Sequence, residues 1–213
     1  MPDLQKPYVR IQKNGIRSYG GSQMWSSNRT IRVCGCGPVA VLDTVLYLSG
    51  RQAEGMSMED YDRELSALCR SYFPLIRPVG INGLFLAAGM NLLLRKYKLP
   101  YRAFWAVSGG KFWSRMEDLL NQDIPVIFSI GPNFPAVWKN HRLTLYRKQP
   151  DGFFSPASSA VAHYITATGL DETWLRISSW GGEYYINRAE YDDYVRKHSA
   201  ALVSNMLMLR RKP

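Results

Sequence analysis

Residues 38–50, PVAVLDTVLYLSG, constrain the fold more than any other stretch of this chain. Asp43, Thr44 and Ser49 are its main polar interruptions, so a helix here is apolar nearly all round. Such a helix has to lie in the middle of a fold. Pro38 suits its first turn and Gly50 its end. A chain of 213 residues is long enough to bury an element of that kind within one core. The expectation is a single domain over residues 1–213, with residues 1–20 as an irregular N-terminal extension.

The elements that follow fall into two groups. Ser57 in SMEDYDREL is placed to cap a second helix, with Asp60 in its first turn. A third helix is predicted over residues 82–96 and a fourth over 110–122. The pattern then changes to strands. PVIFSIG (125–131) is a short buried run; HYITATG (163–169) and TWLRISSW (173–180) are β-rich and separated by a turn. EYYINRAEYDDYV gives a short strand and a small acidic helix, and LVSNMLMLRR a last strand. Residues 131–160, rich in Pro, Gly and Ser, read as a long irregular insertion. Helices first and antiparallel strands second is the order of an α+β fold in two layers.

Only three cysteines are present, Cys34, Cys36 and Cys69. They read as free thiols in a reducing compartment, and the first twenty residues lack a secretory h-region. No stretch is apolar for the ~20 residues a membrane span needs. Those features point to the cytoplasm. No metal-ligand spacing appears among the cysteines and histidines, and no cofactor motif is evident, so neither a metal nor a cofactor is expected.

Cys36 stands out by position. It lies two residues before Pro38, at the mouth of the central helix, where unpaired N–H groups and the helix dipole stabilise a thiolate. Gly35 and Gly37 on either side allow a sharp turn and a close approach by a substrate carbonyl. A cysteine nucleophile needs an imidazole to take its proton and a third group to orient that imidazole. Of the three histidines, His141 and His198 sit in basic, surface-like stretches, whereas His163 opens a strand. A hairpin centred between Leu170 and Asp171 sets His163 opposite Ser178; a slip of one residue brings Ser179 there instead. Either hydroxyl can accept the Nδ1 proton.

These residues carry a resemblance. GCGPVAVLDTVLYL resembles the nucleophile segment of papain-like cysteine peptidases, in particular the bacterial group related to the double-glycine leader (bacteriocin-processing) peptidases. Gln23 and Trp25 in GGSQMWSSNRTIRVCGCGP, the Pro-Val strand of QDIPVIFSIG and the histidine strand AHYITATGLD are similar to that group's order of motifs. SSWGG resembles its Asn-Ser-Trp-Gly segment. The likeness implies a papain-like fold, a helical half with the nucleophile helix packed on an antiparallel sheet carrying the histidine. It also implies Cys36 as nucleophile, His163 as general base and acid, and Gln23 as oxyanion donor beside the Cys36 N–H. Trp180 would then shield the imidazole. Where relatives place Asp or Asn to orient the histidine, this chain has Ser178, which carries no charge.

Two functions follow from different classes: a peptidase acting on a peptide or isopeptide bond through a Cys36 thioester, or a catalytically silent domain binding a peptide or protein in the same groove. The net charge of +10 adds a third candidate partner, a nucleic acid or anionic surface. The basic residues are scattered and do not interleave with aromatics, so solvated surface charge is the favoured reading of them.

Overall fold

The computed structural model describes residues 2–51, 55–77, 80–107 and 110–212. It is an α+β structure with helices α1 (Arg29–Cys34), α2 (Cys36–Leu48), α3 (Met58–Tyr72), α4 (Gly83–Lys96), α5 (Phe112–Asn121) and α6 (Arg188–His198). The central helix α2 begins two residues earlier than Pro38 suggests, because Gly35 ends α1 and caps α2 at once. Its flanks are buried as the apolar pattern requires: Val41, Leu42, Val45 and Tyr47 are all inaccessible to solvent. Gly50, at φ +78°, follows the end of α2 as a left-handed stop. Ser57 Oγ accepts from the Asp60 N–H at 3.0 Å and so caps α3, and Asn82 does the same for α4 through the Phe85 N–H.

The main sheet is antiparallel throughout, in the order β5-β8-β9-β10-β6-β7. Its strands are β5 (Val126–Ile130), β6 (Leu143–Lys148), β7 (Phe154–Ala160), β8 (His163–Leu170), β9 (Trp174–Ser179) and β10 (Gly182–Asn187). Helix α2 lies against β8, and the aromatic side chains of Phe112 on α5 and Tyr191 on α6 pack on Phe128 of β5. A separate ribbon joins β4 (Tyr101–Trp105) to β11 (Leu207–Arg211). Among the described residues no helix is long and apolar enough to cross a membrane.

Three regions differ from the sequence expectation. Residues 131–160 are irregular only as far as 142; from 143 onward they supply β6 and β7. Leu143 and Leu145 are buried while Thr144 and Tyr146 alternate outward, the period of a strand. The Pro and Ser content of β7 fits because β7 is the outermost strand, where Pro156 removes no inner ladder bond. Residues 1–20 are not a loose extension either. Ile11–Lys13 (β1) and Ile16–Arg17 (β2) form a hairpin through Asn14-Gly15, both at positive φ, and β1 pairs in parallel with β3 (Met56–Ser57). Tyr8, Val9 and Ile11 enter the core. The last strand is shorter than residues 202–211, starting at Leu207.

Candidate active site

Cys36 is the first residue of α2 and is half-buried. Its thiol sits beside the backbone N–H groups of Tyr164, Gly37 and Cys36 itself, all of which favour the thiolate. Burial outweighs them and pushes the thiol above its ordinary range. Gly37 lets the helix end approach β8: a Cβ there would stand 3.0 Å from Leu86 and 3.2 Å from the Tyr164 ring.

A narrow cavity of about 10 Å³, room for a single water, runs between the start of α2 and the β8–β9 strands. Gln23, Cys36, Asp43, His163, Ser179 and Trp180 line it together. The structure thus gathers the sulfur and the imidazole, 127 positions apart in sequence (163 − 36), around one space. Among the described residues no hydrogen bond joins them. The imidazole is engaged elsewhere: its Nε2 lies 2.8 Å from Ser179 Oγ, and among the described residues Nδ1 makes no hydrogen bond. Burial, with Arg142 adding to it, holds the imidazole down at about 4, so at neutral pH it is uncharged. Thiol and neutral imidazole are therefore the resting state.

Ser178 does not face His163, contrary to the pairing expected from the sequence. Thr166, not His163, stands opposite Ser178. The turn lies further along the chain than the sequence reading put it, because the Asp171 carboxylate accepts the Thr173 and Trp174 N–H groups and moves the bend to residues 171–174. A bulge at Thr168 shifts the register once more. Ser178 Oγ donates instead to the Tyr19 carbonyl at 2.9 Å. Ser179, the neighbour one residue on, holds the imidazole.

Trp180 stacks on His163, with ring centroids 4.6 Å apart and planes 20° from parallel. It reaches that place from a two-residue turn, Trp180-Gly181, in which both residues have positive φ. Ser179 pairs with Gly182 across the turn, a geometry of the I′ kind that suits tight hairpins. A bulky side chain at φ +49° is a strained choice. Gln23 opens a short 3-10 helix (Gln23–Trp25) and is buried. Its Nε2 donates to the Arg32 carbonyl at 3.2 Å, which occupies one of its two protons.

Asp43, missed as a site residue by sequence reasoning, also enters the cavity. It lies seven positions after Cys36, two helical turns along the same face, and that spacing was the signal available. Among the described residues no group of three His, Cys, Asp or Glu side chains could hold a metal. Comparison with models of protein families, with curated proteins and with solved structures finds no match to this chain.

Proposed function

We propose that this chain is a cysteine hydrolase of the papain-like kind, with Cys36 as nucleophile and His163 as the proton carrier. The observation that carries the reading is the shared cavity: a helix-opening thiol and an imidazole that is held by Ser179 at Nε2, roofed by Trp180 and open at Nδ1. In the first step Sγ attacks the carbonyl carbon of a peptide or isopeptide bond while its proton passes to Nδ1. The negative charge that develops on the carbonyl oxygen is met by the Cys36 N–H and the free Gln23 amide proton, donors of a type worth about 3 kcal/mol in a transition state. Collapse expels the amine, which takes the proton from the imidazolium, and a thioester remains on Cys36. Water, deprotonated by Nδ1, then releases the acid and restores the thiol.

One observation favours the second reading, a silent domain that only binds a peptide or protein. Ser179 is uncharged and the imidazole is held down at about 4, so among the described residues no carboxylate supports the imidazolium that turnover passes through. Alkylation by iodoacetamide followed by mass spectrometry separates the two. Selective labelling of Cys36, lost in His163→Ala, is expected of the hydrolase; equal, slow labelling of every accessible thiol overturns it.

A further inference from the structure

Residues 18–22, which lead into the Gln23 turn, have no regular structure, so something else must hold them. Residues 19–21 form a strap pinned on several sides. Ser178 Oγ donates to the Tyr19 carbonyl, the Gly20 N–H donates to the Val9 carbonyl at 2.8 Å, and the Gly21 N–H donates to Asp43 Oδ2 at 2.9 Å. The strap lies flush on these groups. A Cβ on Gly20 would stand 2.1 Å from Ser178 Oγ and 2.7 Å from Asp43 Oδ2, and one on Gly21 would stand 2.0 Å from Tyr61 Oη. Only glycine fits at both positions.

Asp43 is the charged group that meets the strap's backbone. It is buried on α2, and among the described residues no lysine or arginine pairs with it. The groups facing it are Tyr61 from α3, whose hydroxyl donates to Oδ1 at 2.8 Å, and Tyr8 from the N-terminal segment, whose buried hydroxyl makes no hydrogen bond among the described residues. Ser178 closes the sheet side, and Cys36 lies two turns earlier on the same helix. A lone buried carboxylate is costly to keep, which is a reason to ask what it holds.

We propose that Asp43 is a positioning residue: its carboxylate grips the Gly20–Gly21 strap and so fixes where Gln23 meets the Cys36 cleft. This rests on the reading of Cys36 and Gln23 as nucleophile and oxyanion donor. Burial lifts the Asp43 carboxyl to about 7. When ionised it accepts from both Gly21 and Tyr61. When protonated, one of the two carboxyl oxygens carries a hydrogen and donates instead of accepting, and the grip loosens.

The test uses two probes on the full chain. p-Nitrophenyl acetate acylates Cys36: Sγ displaces p-nitrophenolate, the thiol proton goes to His163, and an oxyanion forms on the way. Iodoacetamide alkylates Cys36 with no oxyanion. Asp43→Ala is expected to slow acylation by about 10²-fold, as Gln23→Ala does, while alkylation is unchanged. In Gln23→Ala the further change Asp43→Ala should then add nothing. Asp43→Asn, which keeps an acceptor for Gly21, should retain acylation and lose a step in its rate near pH 7 that the unaltered chain shows. Effects of Asp43→Ala and Gln23→Ala that multiply, or a step that survives Asp43→Asn, overturn the inference alone. Acylation that does not depend on Cys36, or that ignores Gln23→Ala, overturns the reading beneath it.

Discussion

The two sides of the cavity were built by different rules. On the helix side, Cys36 sits at the start of α2, where the Gly-Pro dipeptide and the apolar run behind it put it. On the sheet side, His163 opens β8 as expected, but its hydroxyl partner is Ser179 and not Ser178. A helix is set by neighbours three and four residues away. Strand pairing is set by the loop between strands, and a side-chain turn at Asp171 with one bulge was enough to move the register three places. The helix-opening thiol can be read from local sequence; sheet-borne partners need the turn to be solved first.

The strongest way to break this comparison is Cys36→Ala. It should abolish acylation by p-nitrophenyl acetate altogether while the melting temperature stays close to that of the unaltered chain. Burst titration with calorimetry measures both, and a surviving burst removes the helix side from the chemistry.

The sheet side has the next largest effect. His163→Ala should slow iodoacetamide alkylation of Cys36 by roughly 10²–10³-fold, the usual scale of a lost general base. Stopped time points read by mass spectrometry give the rate, and an unaltered rate separates the two sides.

The buried charges sharpen the comparison through pH. His163 is lowered from 6.5 to about 4, so it contributes stability above pH 6.5 that is lost as pH falls toward 4. Asp43 is raised from 3.8 to about 7, so its contribution is present below pH 3.8 and is lost as pH rises toward 7. By proton linkage these amount at most to about 3 kcal/mol for His163 and about 4 kcal/mol for Asp43. The two oppose each other between pH 4 and 6.5. Urea midpoints should therefore fall with rising pH in His163→Ala and climb with rising pH in Asp43→Asn, each relative to the unaltered chain. Parallel slopes in both variants contradict the assignment.

The smallest effect decides between the adjacent serines. Ser179→Ala should slow alkylation by about fivefold, the worth of one hydrogen bond near 1 kcal/mol. Ser178→Ala should leave alkylation unaltered and cost about 1 kcal/mol of stability, because its bond is to the strap. The reverse pattern in these two variants restores the expected register.

Much of the fold was legible. The buried α2, the Ser57 cap, the first-helices-then-strands order, and the β5, β8 and β9 runs all followed from periodicity and turn chemistry. What was missed had physical causes. Asn14-Gly15 is a hairpin signal, but two- and three-residue strands are too short to show alternation. Pro and Ser in β7 mark a loop by composition and an edge strand by position, and only pairing distinguishes them. The site residues Cys36, His163, Gln23 and Trp180 do line one cavity, whereas Asp43 looked like a mere interruption in an apolar helix. A lone carboxyl among aliphatic residues is a stronger signal than it was given credit for.

The Trp180-Gly181 turn has a consequence for how this cleft can be altered by mutation. Gly181 cannot take a side chain, since a Cβ there would stand 2.5 Å from the Trp25 indole, and the left-handed backbone at Trp180 shuts out β-branched replacements. Any inherited change in the covering over the imidazole has to arrive as a new unbranched or aromatic residue at position 180. The ceiling of the pocket has a single replaceable tile.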